Sequence, residues 1–148
     1  KYNMIDISAA MGIEQLNRID IMWKKRQELV KRYQTSLKDL PLFFQGTKDY
    51  KYKNAHHLFT ITIDKRKTNK NRDRLLKFLN DNKIGVGVNY RSVTSMSCYK
   101  KLFLWNNKTT PVSNYVGSNI LSLPLYPDLK KSEQNYIIYK VKEFFKST

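Results

Sequence analysis

A chain of 148 residues can fold as one compact domain with a core of its own and is too short for two comfortable ones. Hydrophobic residues make up 41% of it but occur in runs of only a few, far below the roughly 20 that cross a bilayer, so a soluble protein is expected and a membrane partner is not. Lys and Arg number 28 against 12 Asp and Glu, and the resulting charge of +16 attracts nucleic acid, anionic membrane or phosphorylated small molecules without choosing among them.

The start, KYNMIDISAAMG, has neither the apolar core nor the small-residue cleavage site of a signal peptide. It opens on Lys1 with a helical pattern under way by Asp6, so a fragment of a longer protein is expected. From Asp6 to Leu37, apolar residues fall at Ala9, Ile13, Leu16, Trp23, Val30, Tyr33 and Leu37, a period near 3.6 that predicts one long helix. Asp6 is the expected N-cap, and Leu40-Pro41 ends the helix because the residue before proline avoids helical backbone angles. At 1.5 Å per residue the helix is roughly 45 Å long. That exceeds the needs of one small domain, so part of it is expected to pack on something outside this chain.

PLFFQG predicts a short extended piece, and HLFTITID, His57 to Asp64, a core strand. KRKTNKNR, Lys65 to Arg72, is a solvated turn; as a nucleic-acid patch it lacks interleaved aromatics to stack on bases. RLLKFLNDN, Arg74 to Asn82, is a short amphipathic helix with Leu75, Leu76, Phe78 and Leu79 inward. Ile84 to Val88 reads as a strand whose Gly85 and Gly87 admit another backbone closely. A helical piece around YKKLFLW, a polar loop NNKTT and a helix opened by Pro111 follow. NILSLPLYP, Asn119 to Pro127, is a strand, and the last helix opens near a capping Ser132 and buries Tyr136, Ile137, Val141 and Phe144 or Phe145. The order implies an α/β (α+β) domain: a small sheet covered by helices, with one long helix leading in.

Little of the chain carries chemistry. His56 and His57 would face opposite ways on a strand, and no Cys or carboxylate cluster stands near them, so no metal site is expected and His57 reads as readily as a core histidine. Cys98 is the only cysteine, which excludes an internal disulfide and suits the cytoplasm. There is no glycine-rich phosphate loop, no nucleophile elbow and no base near Cys98, hence no complete catalytic set. Arg91, just past a glycine-containing strand, could grip a phosphate or carboxylate through two parallel hydrogen bonds; a surface arginine paired with an acid is the plain alternative.

Three collinear segments change this picture: KYNMIDISAAMGIEQLNRID, then HHLFTITI with IGVGVNYRSV, then NILSLPLYPDL. Together they resemble the C-terminal part of the DegT/StrS family of pyridoxal-phosphate-dependent sugar aminotransferases. The resemblance implies the small C-terminal domain of the fold type I aminotransferases, with a mostly antiparallel sheet, residues 1–40 as a long interdomain helix, and the domain bearing the Schiff-base lysine absent. It implies transfer of an amino group, usually from glutamate, to a keto sugar on a nucleotide for surface-polysaccharide synthesis, by a homodimer, with this piece inactive alone. By the same likeness Asn3 and Lys1 would hold the neighbour's cofactor phosphate, His57, Asn89 and Tyr90 would face the sugar nucleotide, and Arg91 its diphosphate. Thr94 departs from the family, which commonly has His there, and a hydroxyl cannot replace an imidazole as acid or base. A non-catalytic remnant or split-gene module, and a basic nucleic-acid-binding domain, remain the alternatives.

Overall fold

The computed structural model describes residues 3–46, 53–103, 105 and 108–146. Its elements are α1 (Asp6–Leu37), β1 (Leu42–Phe44), β2 (Phe59–Ile63), α2 (Arg72–Asp81), α3 (Ser97–Phe103), α4 (Pro111–Asn119), β3 (Ile120–Leu123) and α5 (Lys131–Lys146). The strands form an antiparallel sheet in the order β1-β2-β3, with Phe43 opposite Thr62, Ile61 opposite Leu121 and Phe59 opposite Leu123.

Alternation along β2 sorts the sheet into two faces. Phe59, Ile61 and Ile63, with Leu121 and Leu123 beside them, join Tyr33 and Leu37 of α1, Leu75 and Leu79 of α2, and Ile137, Val141 and Phe144 of α5 in one core. Each such side chain contributes about 1.5–3 kcal/mol on burial. The Tyr33 ring lies 4.8 Å from that of Phe59, and its hydroxyl donates to the Pro124 carbonyl at 3.0 Å. Burial, with Tyr126 adding to it, pushes that phenol well above its ordinary range. Gln134 ties α5 to α1, donating to the Leu29 carbonyl at 2.8 Å and accepting from Arg32 at 2.9 Å.

Several local expectations need correction. Ile5, not Asp6, precedes the first turn of α1, and no side chain caps it. α2 begins two residues early because the Asn71 side chain accepts from the Arg74 N–H at 2.8 Å. The Ile84–Val88 strand reduces to one bridge, Gly87 to Ser122, while the Ile84 N–H is spent on the Leu79 carbonyl at 2.9 Å. A Gly87 Cβ would meet the Asn89 side chain and not the expected second backbone, and nothing lies within 4 Å of the position a Gly85 Cβ would take. Asn119 still belongs to α4, and β3 ends before Pro124. Ser132 lies inside α5; its start is held instead by Glu133, which accepts from the Lys130 N–H at 2.8 Å. Tyr136 is exposed rather than buried.

The long helix is divided. Its C-terminal half buries Val30, Tyr33 and Leu37, while Ile7, Met11, Ile13, Leu16, Ile19 and Ile21 lie exposed. At 100° per residue those exposed residues point all around the axis, a pattern that belongs to a helix enclosed on more than one side. No described helix is long and apolar enough to cross a membrane.

Candidate functional site

The second face of the sheet carries Thr60 and Thr62 of β2, Phe43 of β1 and Ile120 of β3, and these form the floor of a cleft of about 660 Å³. One wall is the segment before β2, with Asn54, Ala55 and His57; the others are Asn89 and Tyr90 after the Gly87 bridge, and Tyr115 and Val116 of α4.

The first wall is fixed by α1. Trp23 donates its indole N–H to the Asn54 carbonyl at 2.6 Å, and Arg26 donates to the Ala55 carbonyl at 3.3 Å. Asn54 Oδ1 accepts from the His56 N–H at 2.8 Å, a turn that lets His56 take a left-handed φ of 48°. The His56 ring stacks on Trp23, and burial, with the Arg26 charge second, holds its pKa below the ordinary imidazole value. So His56 and His57 do not alternate along a strand: both precede β2, His56 is committed to Trp23, and His57 is exposed at the cleft.

The opposite wall depends on Gly87. A Cβ there would meet Asn89 Oδ1 at 3.0 Å, so the Asn89 carboxamide covers the bare Cα of Gly87. Ser122, opposite Thr60 and bridged to Gly87, has a buried hydroxyl without a partner among the described residues. The peptide between Asn89 and Tyr90 is cis. The Tyr115 hydroxyl accepts from the Lys65 N–H at 3.0 Å, anchoring α4 beside the buried Asp64. Arg66, through its side-chain hydrogen bonds, keeps the Asp64 carboxyl below the usual carboxylate range.

Behind Asn89 and Tyr90 the chain turns through Val93–Ser95 as a 3₁₀ helix held by hydroxyls. Thr94 is their hub: its buried Oγ1 lies 2.8 Å from Ser92 Oγ, 2.7 Å from Thr110 Oγ1 and 3.1 Å from Asn114 Oδ1. Gly117 of α4 presses on the same segment, since a Cβ there would come within 2.4 Å of the Ser92 nitrogen. Thr94 thus locks a turn and lines neither this cleft nor the depression that holds Arg91.

Of the residues singled out in the sequence, His57, Asn89 and Tyr90 share the cleft. Arg91 does not join them. It is exposed, without an acid partner among the described residues, and lines a separate depression with Arg72. Asn3 is exposed just ahead of α1, and Lys1 lies outside the described residues. Asn54, Thr60, Thr62 and Tyr115 carried no signal in the sequence, because their convergence depends on pairing and packing across tens of residues. Among the described residues no cluster of His, Cys, Asp or Glu could hold a metal.

Residues 1–142 match the DegT/DnrJ/EryC1/StrS aminotransferase family, and the chain belongs to that family. It is 31% identical over 147 residues to the spore coat polysaccharide biosynthesis protein SpsC of Bacillus subtilis (strain 168), covering 99% of this chain but 38% of SpsC. Helicobacter pylori PseC, an aminotransferase involved in the biosynthesis of pseudoaminic acid, superposes with a TM-score of 0.77 at 25% identity, covering 96% of this chain and 38% of PseC. A Streptococcus pneumoniae chain described as a sugar aminotransferase and solved in its PLP form shares the fold at a TM-score of 0.84 and 24% identity, over 95% of this chain and 36% of that one. The chain therefore spans well under half the length of the relatives it matches.

Proposed function

We propose that these residues are the small C-terminal domain of a pyridoxal-phosphate-dependent aminotransferase, with residues 1–40 as the interdomain helix. The substrates are glutamate, as amino donor, and a keto sugar linked to a nucleotide. The product serves surface-polysaccharide synthesis in the cytoplasm, and the working form is a homodimer. The observation that carries this reading is the family match across residues 1–142 combined with a single cleft that gathers His57, Asn89 and Tyr90.

The chemistry of the lining suits a sugar. Carboxamides and hydroxyls both donate and accept, which matches the paired capacity of sugar hydroxyl groups. Asn89 presents such a carboxamide, while Asn54 spends its Oδ1 on His56 and keeps its Nδ2 for the cleft. The exposed Tyr90 ring lines the cleft, His57 adds a donor or acceptor, and Arg91, in its separate depression, would grip the diphosphate. Pyridoxal phosphate, when bound, supplies an electron sink. Its covalent anchor must be a primary amine, and no described lining residue is a lysine, so this cleft does not fit the anchor and its groups are substrate contacts. Asn3 and Lys1, both donors, would reach the cofactor phosphate of the partner subunit.

The test is to incubate the full native protein with glutamate and nucleotide-linked keto sugars and to detect the amino sugar by mass spectrometry. Transfer to the sugar is expected, with Asn89→Ala raising the sugar-nucleotide KM about tenfold and leaving that of glutamate nearly unchanged. A cofactor-loaded protein that yields no amino sugar would refute the reading.

A further inference from the structure

We infer that Arg72 and Arg91 together bind a phosphate or diphosphate group, in the depression between the start of α2, residues 91–95 and the C-terminal end of α4. The depression holds about 320 Å³ and is almost entirely polar: Arg72, Arg91, Ser92, Ser95 and Ser118 line it, with Asp73 at its edge and Gly117 in its floor. It is separate from the cleft, yet the two are adjacent in sequence, since Tyr90 lines one and Arg91 the other.

Arg72 is the unusual member. An arginine only 7% exposed must satisfy its donors internally or keep them for a ligand. Its Nε donates to Asp73 Oδ1 at 2.5 Å, and Nη1 donates to the Ile120 carbonyl at 3.1 Å. Nη2 has no acceptor among the described residues. Nor is it sealed, because among those residues only Ser122 Oγ is both buried and unpartnered. Nη2 therefore meets open space, and the depression is open space that Arg72 lines.

Arg91 supplies the second fork. It is exposed and makes no ion pair among the described residues. No Asp or Glu occurs between Asp81 and Asp128, so neither its own segment nor α4 carries a competing acid. Asp73 neutralises one guanidinium and leaves the site net positive. The mount is rigid as well: Gly117 lets α4 press on the backbone of Arg91 and Ser92, where a Cβ would come within 3.2 Å of the Arg91 carbonyl carbon. Two planar forks from separate segments, that of Arg72 held by hydrogen bonds and that of Arg91 carried on a closely packed backbone, match a phosphoryl group better than a scatter of mobile lysines does. The nucleoside diphosphate as source rests on the aminotransferase reading; the anion site does not.

The experiment is calorimetric titration of the full native chain with inorganic pyrophosphate and, separately, with a nucleoside diphosphate. Salt is kept near ~150 mM, where the Debye length is about 8 Å and diffuse attraction is screened. Saturable binding is expected, weakened about tenfold or more by Arg91→Gln and less than about twofold by Lys100→Gln, which removes the same charge from α3. Arg72→Lys keeps the charge but loses the fork; once its melting temperature shows that it folds, a similar loss is expected. Tighter binding of the nucleoside diphosphate makes the nucleotide the source, and equal affinity makes it free phosphate. Absence of saturable binding, or equal weakening by Arg91→Gln and Lys100→Gln, overturns the site. Amino transfer without pyrophosphate binding would sink this site alone, and pyrophosphate binding without amino transfer would sink the aminotransferase reading alone.

Discussion

Replacing Gly117 with alanine tests how the two concavities are held. The new methyl would lie 2.4 Å from the Ser92 nitrogen and 3.2 Å from both the Arg91 carbonyl carbon and the Ser92 Cα, all of them backbone atoms that no rotamer change can move aside. Ordinary contact begins near 3.4 Å, so α4 and residues 91–92 must separate by roughly 1 Å, an overpacking that costs about 1–3 kcal/mol. Alanine returns about 0.8–1.0 kcal/mol through its better helix propensity. The net expectation is a loss of up to about 2 kcal/mol, which for a chain of this size lowers Tm by up to roughly 6 °C. The separation also pulls on the Thr94 hydroxyl cluster and on the backbone that presents Asn89, Tyr90 and Arg91. Calorimetric melting of Gly117→Ala beside Gly12→Ala makes the comparison. Gly12 sits within α1 with nothing within 4 Å of its missing Cβ, so alanine there is expected to raise stability by about 0.5–1 kcal/mol. If both substitutions raise Tm alike, the close contact at Gly117 does not exist.

Three further outcomes are expected. Thr94→Val keeps the shape of the hub but leaves the buried Asn114 Oδ1 without its donor and takes one of two partners from the half-buried Thr110 hydroxyl, costing about 1–3 kcal/mol, whereas Thr94→Ser restores most of the loss; equal melting of all three proteins refutes the hub. His56 and Asp64 both have folded pKa values below their ordinary ones, so the stability they contribute is complete above the unfolded values and is lost as pH falls through the folded ones. Stability should accordingly decline in a first step below the histidine value of 6.5, absent in His56→Asn, and in a second below the carboxylate value of 3.8, reduced in Asp64→Asn but not abolished, since Lys53 and Lys25 lower Asp20 and Asp128 as well. Profiles that coincide with wild type would remove the assignment. Residues 1–148 expressed alone should self-associate through the apolar first half of α1, and Ile13→Lys with Leu16→Lys should reduce this; light scattering from a strict monomer at high concentration would count against an adhesive helix.

Periodicity settled the two most regular parts of this protein before any folding is considered. Alternation from Phe59 to Ile63 marks a strand, and the recurrence of apolar residues from Asp6 to Leu37 marks a helix, because each pattern reflects the geometry of its own backbone. The collinear motifs did the same for the family, and they singled out His57, Asn89 and Tyr90, which the fold brings to one cleft. Pairing and packing decided the rest. Ile84 to Val88 has strand composition, but the Ile84 N–H is spent on the Leu79 carbonyl and Gly87 alone bridges to Ser122, so it stays a single bridge. Trp23 looks like a core residue and instead clamps Asn54, which lies 31 positions away. Thr94, conspicuous as a departure from the family, is spent on the Thr110 hydroxyl and the Asn114 carboxamide oxygen. Arg91 lines the depression with Arg72, although its neighbour Tyr90 lines the cleft and both residues are exposed. Local backbone preference is written in neighbouring residues, whereas a binding surface depends on which distant segments the buried core draws together.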